Sequence, residues 1–195
     1  MSNKEHTLLC IMGETACGKD SLVEKLCERM GTKQLISYTT RNRRVGEGDT
    51  HRFVTEEDFN QMRSEGQIAA YTEIAGNHYW STIDQLYASD FYIVDYNGVK
   101  TLKNLNLPGL RIVTVYVNTP EEIRRDRAIN QRKDRIEDFR IRSFSEQAQF
   151  REMKKNVDFD YAVSNIDFAK AYSVIRWIAS VEKLWKNHII GDADG

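Results

Sequence analysis

Apolar and polar positions along this chain fall into two rhythms. Near-continuous apolar runs occur at Leu8-Leu9-Cys10-Ile11-Met12, Phe91-Tyr92-Ile93-Val94 and Arg111-Ile112-Val113-Thr114-Val115-Tyr116-Val117. They have the length and side-chain type of strands buried on both faces of a parallel sheet. A shorter run at Tyr161-Ala162-Val163-Ser164 predicts a last strand. Between them the spacing turns helical, over residues 20–29 (Leu22, Val23, Leu26), 99–105, 119 to about 153, and 168–185. Gly31 closes the first helix as a C-cap, Thr55 opens another as an N-cap, and Thr119-Pro120-Glu121-Glu122 opens a third. Residues 33–38 predict a second short strand, 39–49 a basic loop, and 68–75 with 77–80 two short strands about an Ala75-Gly76-Asn77 turn. In the trailing helix, Ile175, Trp177, Ile178, Val181, Leu184 and Trp185 read as a core stripe. Alternating strands and helices make this an α/β chain with a mostly parallel central sheet flanked by helices.

Composition narrows the picture. A length of 195 residues, 41% of them hydrophobic, suits one domain spanning residues 1–195. The formal net charge of −1 gives no global attraction to nucleic acid or to an acidic membrane. No stretch has the length of a membrane span or the pattern of a signal peptide. Three cysteines, Cys10, Cys17 and Cys27, make no disulfide framework or zinc motif, which predicts a cytoplasmic protein. Cys17 is expected to be accessible in its loop, but no base beside it argues for a catalytic thiol. Arginines crowd residues 41–52 and 124–142, which suggests local anion sites.

The candidate chemistry starts at Gly13-Glu14-Thr15-Ala16-Cys17-Gly18-Lys19, between the first strand and the first helix. That context is a phosphate-binding loop, in which backbone N–H groups and Lys19 meet phosphate oxygens. Asp20 stands where Ser or Thr normally offers magnesium a hydroxyl, with Ser21 next to it. Asp95 ends an apolar strand, the edge at which α/β sheets bind ligands. Asp20 and Asp95 are therefore the candidate Mg²⁺ ligands beside a triphosphate. Arg41 and Arg44 form a possible phosphate clamp, and Arg124, Arg125, Arg127, Arg132, Arg135, Arg140 and Arg142 supply positive charge for a moving phosphoryl group.

With these residues assembled, the chain resembles the guanylate kinase family over nearly its whole length. The resemblance is carried by SYTTRNRRVGEGDTHRFVTEEDF, AGNHYWST, FYIVDYNGVKTL, NTPEEIRRDR and FDYAVSNIDFAKA. It implies a P-loop nucleoside-monophosphate kinase fold with an acceptor-binding lobe near residues 37–90 and an arginine-bearing lid near 124–142. It also implies ATP–Mg²⁺ as donor and GMP or dGMP as acceptor; a monomer or homodimer is expected, and charge and composition predict no nucleic-acid or membrane partner. By motif, Ser37 falls on the residue contacting the guanine edge, and Arg41 and Arg44 on the pair gripping the acceptor phosphate. Tyr79 and Ser81 fall on the Tyr and Ser of YYGS, and Asp95 on the second Asp of LDxD-x-x-G. Residues 13–21 with Asn165 fall on the donor site, and Lys19 and Arg142 on its catalytic cations; the lid departs from the family in spacing, and Arg127 and Arg132 are the candidates chosen there.

Besides Asp20, four positions depart from the family pattern. Ala70 stands in place of the guanine-reading Glu, leaving two guanine donors without that acceptor at a cost of about 1–3 kcal/mol. Glu73 is near in sequence. His51 replaces a phosphate-gripping tyrosine, Ala16 a loop glycine, and Trp80 the glycine of YYGS, where its bulk is expected to reshape the base pocket. These departures leave two alternatives to a GMP kinase. One is a kinase for another ribo- or deoxynucleoside monophosphate. The other is a guanylate-kinase-like interaction module without turnover.

Overall fold

Strand β1 (His6–Met12) is the centre of the molecule. Leu8, Leu9, Cys10, Ile11 and Met12 are all fully buried, because the strand has no solvent face. Its side chains alternate between two cores. Leu8, Cys10 and Met12 join Val99, Leu102, Phe150 and Met153 on one side. Leu9 and Ile11 join Leu22, Val23, Leu26, Ile175 and Ile178 on the other. The computed structural model describes residues 6–43, 49, 51–74 and 76–189, with side chains given to residue 182. Arg44, Ala75, the terminal residues 190–195 and the side chains of Leu184 and Trp185 lie outside the described residues.

The main sheet has the order β2-β7-β1-β8-β9 and every pairing in it is parallel. Its strands are β2 (Gln34–Leu35), β7 (Phe91–Ile93), β1, β8 (Leu110–Asn118) and β9 (Tyr161–Ser164). Helices α1 (Lys19–Met30) and α7 (Phe168–Ile189) cover one face. Helices α4 (Tyr96–Asn104) and α6 (Ile136–Asn156) cover the other. Gly31 ends α1 in the left-handed region, φ 62°, as its place in the sequence required. The predicted α/β class and mostly parallel sheet are what the molecule has.

A second, four-stranded sheet has the order β4-β3-β6-β5. It is built from β3 (Tyr38–Thr39), β4 (Arg52–Phe53), β5 (Ile68–Ile74) and β6 (Asn77–Thr82). Helix α2 (Glu56–Ser64) precedes β5 with the expected Thr55 capping box, closed by Asp58. Helix α3 (Ile83–Ala88) returns the chain to β7.

Three expectations need correction. The single strand expected over residues 33–38 is two, β2 and β3, which belong to different sheets. The charged helix expected from 119 to about 153 is interrupted. Helix α5 (Glu121–Asp126) runs into a π-helical turn, Arg127–Gln131, and Lys133 at φ 61° reverses the chain before α6. Trp177 is 61% exposed and does not belong to the core stripe. It lies about 200° around the helix from Ile175, opposite the face that buries Ala171, Ile175 and Ile178.

Candidate functional site

The loop between β1 and α1 is held from beneath at one atom. The Cys17 carbonyl accepts hydrogen bonds from Thr119 Oγ1 (3.1 Å), Arg127 Nη1 (3.1 Å) and Asn165 Nδ2 (2.7 Å). Arg127 Nη2 donates to the Asn165 carbonyl at 2.8 Å, which locks the clamp to the end of β9. Arg124 is buried and donates to the Thr15 and Thr119 carbonyls. Pro120 rather than Thr119 caps α5, and this frees the Thr119 hydroxyl for the loop. Gly18 at φ 90° is required here, because a Cβ would lie 2.5 Å from Asn165 Nδ2. Ala16 takes the left-handed conformation at φ 60°, strained for a residue with a side chain. Alternating conformations of this kind turn successive N–H groups toward one side as an anion nest.

Charge in the loop is centred on Lys19. Burial works against its charge, but Asp20, 3.7 Å away, and Glu146 hold its pKa above the ordinary value. Arg132 acts on Lys19 in the opposite sense, which places that arginine within electrostatic range of the loop. Glu14 is held by Lys154 (2.7 Å) and the Tyr116 hydroxyl (2.8 Å). Those donors outweigh burial and keep its carboxyl below the usual range. Cys17, expected to be accessible, is fully buried, and burial pushes its thiol up against the pull of Lys19. It packs in the core with Leu22 and Val117 and cannot serve as a nucleophile.

The catalytic-cation candidates divide by what they touch. Arg127 is spent on backbone carbonyls beneath the loop. Arg132 and Arg142 share one acceptor, donating to Asp134 Oδ2 at 2.6 and 2.5 Å. Burial works against the Asp134 charge, but the two guanidinium groups keep its carboxyl below the usual range. Asn165 is fully buried with its Nδ2 on the loop, so the structure places it under the loop as a clamp. Its Oδ1 is buried without a partner among the described residues.

The second sheet brings most acceptor candidates onto one face, for reasons of register. Thr39 pairs with Tyr79 and with Phe53. With a side-chain period of two, Ser37, Thr39, His51, Phe53, Tyr79 and Ser81 share that face. Their contacts agree. Ser37 Oγ lies 2.9 Å from His51 Nδ1, the His51 ring meets Tyr79 edge-on at 5.7 Å, and Arg41 lies over Phe53 at 5.3 Å. Tyr38, His78 and Trp80 take the opposite face. Trp80 is fully buried, stacked on Tyr38 at 5.5 Å and packed on Phe59, so it fills the core of this sheet and lines no base pocket.

A bulge in β5 decides which side chains join the acceptor face. Ala69 pairs with Ser81 and Thr72 with Tyr79, so Ala70 and Tyr71 together span one step. Ala70 is 2% exposed with φ 46° and packs in the main core. Glu73 pairs with His78 on the far face and does not substitute for a carboxylate at position 70. Thr72, which sequence reasoning missed, donates to Asp95 Oδ2 at 3.2 Å.

Asp95 caps α4, accepting from the Gly98 N–H at 2.9 Å, and receives a further hydrogen bond from Gln149. Burial raises its carboxyl above the usual range against these donors. Asp20 is 68% exposed and pairs only with Lys19 among the described contacts. No group of three or more His, Cys, Asp or Glu suited to a metal occurs among the described residues. Magnesium on a nucleotide needs only one or two carboxylates, the rest coming from phosphate and water. Asp20 is exposed enough to meet that need, whereas Asp95 is buried, with Oδ1 bonded to the Gly98 N–H and Oδ2 to the Thr72 hydroxyl. No helix among the described residues is long and apolar enough to cross a membrane.

A parallel sheet carrying a glycine loop and lysine at the mouth of its first helix defines a P-loop phosphotransferase fold. The family model described as guanylate kinase matches residues 5–181. Curated relatives include guanylate kinase of Escherichia coli strain K12, 26% identical over 189 residues and covering 91% of this chain and 89% of that protein. Guanylate kinase of Salmonella typhi is 27% identical over the same shares. The crystal structure of guanylate kinase from Anaplasma phagocytophilum superposes with a TM-score of 0.64 at 21% identity, covering 92% of this chain and 87% of that one, which supports the fold. The chain belongs to the guanylate kinase family. It is accordingly an ATP-dependent nucleoside-monophosphate kinase.

Proposed function

We propose that this enzyme transfers the γ-phosphoryl group of ATP to GMP or dGMP, using magnesium on the donor. The observation that carries the donor half is the clamped loop. The Cys17 carbonyl is pinned by three side chains, and Lys19 is kept charged beside the anion nest. Lys19 and the amides of residues 13–21 receive the donor phosphates. Asp20 would hold magnesium or one of its waters, and the ion then supplies charge neutralisation on the phosphate oxygens. Arg132 and Arg142 leave Asp134 for the transferring group, where positive charge lowers the barrier. Arg124, Arg127 and Asn165 position the loop and touch no reacting atom.

For the acceptor half, Arg41, Arg44, His51 and Tyr79 are assigned to the monophosphate, and Ser37, Ser81 and Asp95 with Thr72 to the base. The shared face of Ser37, His51 and Tyr79 supports this assignment. In-line transfer needs little covalent work from the protein, so positioning and charge carry the rate. The region near 37–90 acts as the acceptor lobe and that near 124–142 as the lid.

A second reading, another nucleoside or deoxynucleoside monophosphate as acceptor, is favoured by one feature. Ala70 is buried at the β5 bulge and presents no carboxylate to a guanine. The test is ADP formation from ATP–Mg²⁺ against each common ribo- and deoxynucleoside monophosphate. A kcat/KM at least tenfold higher for GMP or dGMP than for the others is expected. Preference for a different base would replace the acceptor assignment and leave the donor half standing.

A further inference from the structure

Helix α6 sends polar side chains to several parts of the molecule. Arg142 reaches Asp134, Gln149 accepts from the Asn97 N–H and bonds Asp95, and Lys154 reaches Glu14. Each of these places opposite charges, or a donor and an acceptor, in ordinary complement. Glu146 does something different. Its Oε2 accepts the backbone N–H of Thr15 at 2.6 Å, a short bond; burial raises this carboxyl, while Lys19 and the Thr15 N–H favour its charged form. A carboxylate is therefore seated in the loop that, on the reading above, receives anionic phosphates.

We propose that Glu146 is an internal competitor for the donor site, a positioning residue that must leave the Thr15 amide before ATP is fully bound. The proposal rests on the assignment of the Lys19 loop to the donor phosphates. Two anions cannot be held at one N–H and one lysine without repulsion in a partly buried place. ATP therefore binds the state in which Glu146 has withdrawn, and its apparent affinity is lowered by the fraction of molecules in which Glu146 is seated.

Two substitutions separate competition from simple support of the loop. Glu146→Gln keeps an acceptor for the Thr15 N–H and removes the charge. Glu146→Ala removes both. If Glu146 only supported the loop, the alanine variant would bind ATP more weakly and the glutamine variant about as well as the parent. Competition predicts tighter binding in both, by roughly tenfold, the scale of one charge-assisted hydrogen bond. The measurement is calorimetric titration of the full chain with ATP and, separately, with the preferred monophosphate. KM for ATP should fall with the dissociation constant, and affinity for the monophosphate should stay within about twofold. The Thr15 amide resonance of the free protein should move in both variants, further in the alanine one. Unchanged or weaker ATP binding in both variants overturns the proposal. Lys19→Met in the parent and in the Glu146→Gln background separates the two levels. If ATP binding depends on Lys19 but not on Glu146, the loop assignment stands and the competition fails. If it does not depend on Lys19, both fall.

Discussion

Replacing Arg127 by Met tests whether that residue is catalytic or positional. Its guanidinium makes two hydrogen bonds to backbone carbonyls, to Cys17 at 3.1 Å and to Asn165 at 2.8 Å. Hydrogen bonds from a charged donor contribute about 1.5–3 kcal/mol each, and partial exposure brings the pair to roughly 2–4 kcal/mol. The Cys17 carbonyl keeps Thr119 and Asn165 as donors, so no acceptor is orphaned there. Methionine retains the aliphatic stem, so the loss is mainly polar. For a chain of this size that corresponds to a fall in melting temperature of roughly 5–15 °C. With the loop loosened, KM for ATP rises. Arg132→Met is the contrast. Arg132 shares Asp134 with Arg142 in a half-exposed pair, so its loss costs at most about 1 kcal/mol, and it acts on kcat. Thermal unfolding and steady-state kinetics with ATP varied give both readouts. An Arg127→Met protein that melts with the parent, keeps KM for ATP and loses kcat would refute the positional role and restore Arg127 to the transferring group.

Three further outcomes follow from the same geometry. Ala16→Gly relieves a left-handed backbone at φ 60°; after the entropy that glycine adds to the unfolded chain, denaturant unfolding should show a gain of about 0.5–1 kcal/mol. Gly18→Ala forces a Cβ to within 2.5 Å of Asn165 Nδ2 at φ 90°; at least about 1–2 kcal/mol should be lost, together with ATP binding, as read by denaturation and calorimetry. Asp95→Asn probes a carboxyl that burial holds above its ordinary value. The folded state keeps that proton more readily than the unfolded chain, so the wild type loses stability as pH rises from the ordinary carboxylate range through the folded value. Asn caps a helix as well as Asp, so the variant should be the more stable protein at neutral pH. The gap should close as pH falls, while KM for the acceptor rises. A constant gap across that range would show that titration of Asp95 is not its source.

How far the sequence could be read depended on whether a feature was periodic, local or long-range. The runs at Leu8–Met12 and Ile112–Val117 announced buried parallel strands, because both of their faces are apolar. Local chemistry carried Gly31 and the Thr55 cap, and it also offered α3, whose Thr82 and Gln85 form a capping box that the pattern reading passed over. The split of residues 33–38 was invisible, since two strand residues on either side of Ile36 and Ser37 look the same whichever sheet they join. The fate of Trp80 was legible only in part. Period two separates it from Tyr79 and Ser81, but which face met α2 required Phe59 to be placed. The β5 bulge is harder still, for it moves Thr72 into the step that Tyr71 would occupy in an unbroken strand and leaves Ala70 buried. The proposed donor site divided in the same way. Its loop was written in seven consecutive residues, but its support came from Thr119, Arg124, Arg127 and Asn165, roughly a hundred residues or more away. A sequence shows an arginine-rich stretch as a reservoir of charge. Only the fold separates Arg124 and Arg127, which donate to backbone carbonyls, from Arg132 and Arg142, which meet on the carboxylate of Asp134. On the proposed reading that carboxylate is exchanged for phosphate during turnover, and this is a property of the partner, which no motif in the arginine stretch records.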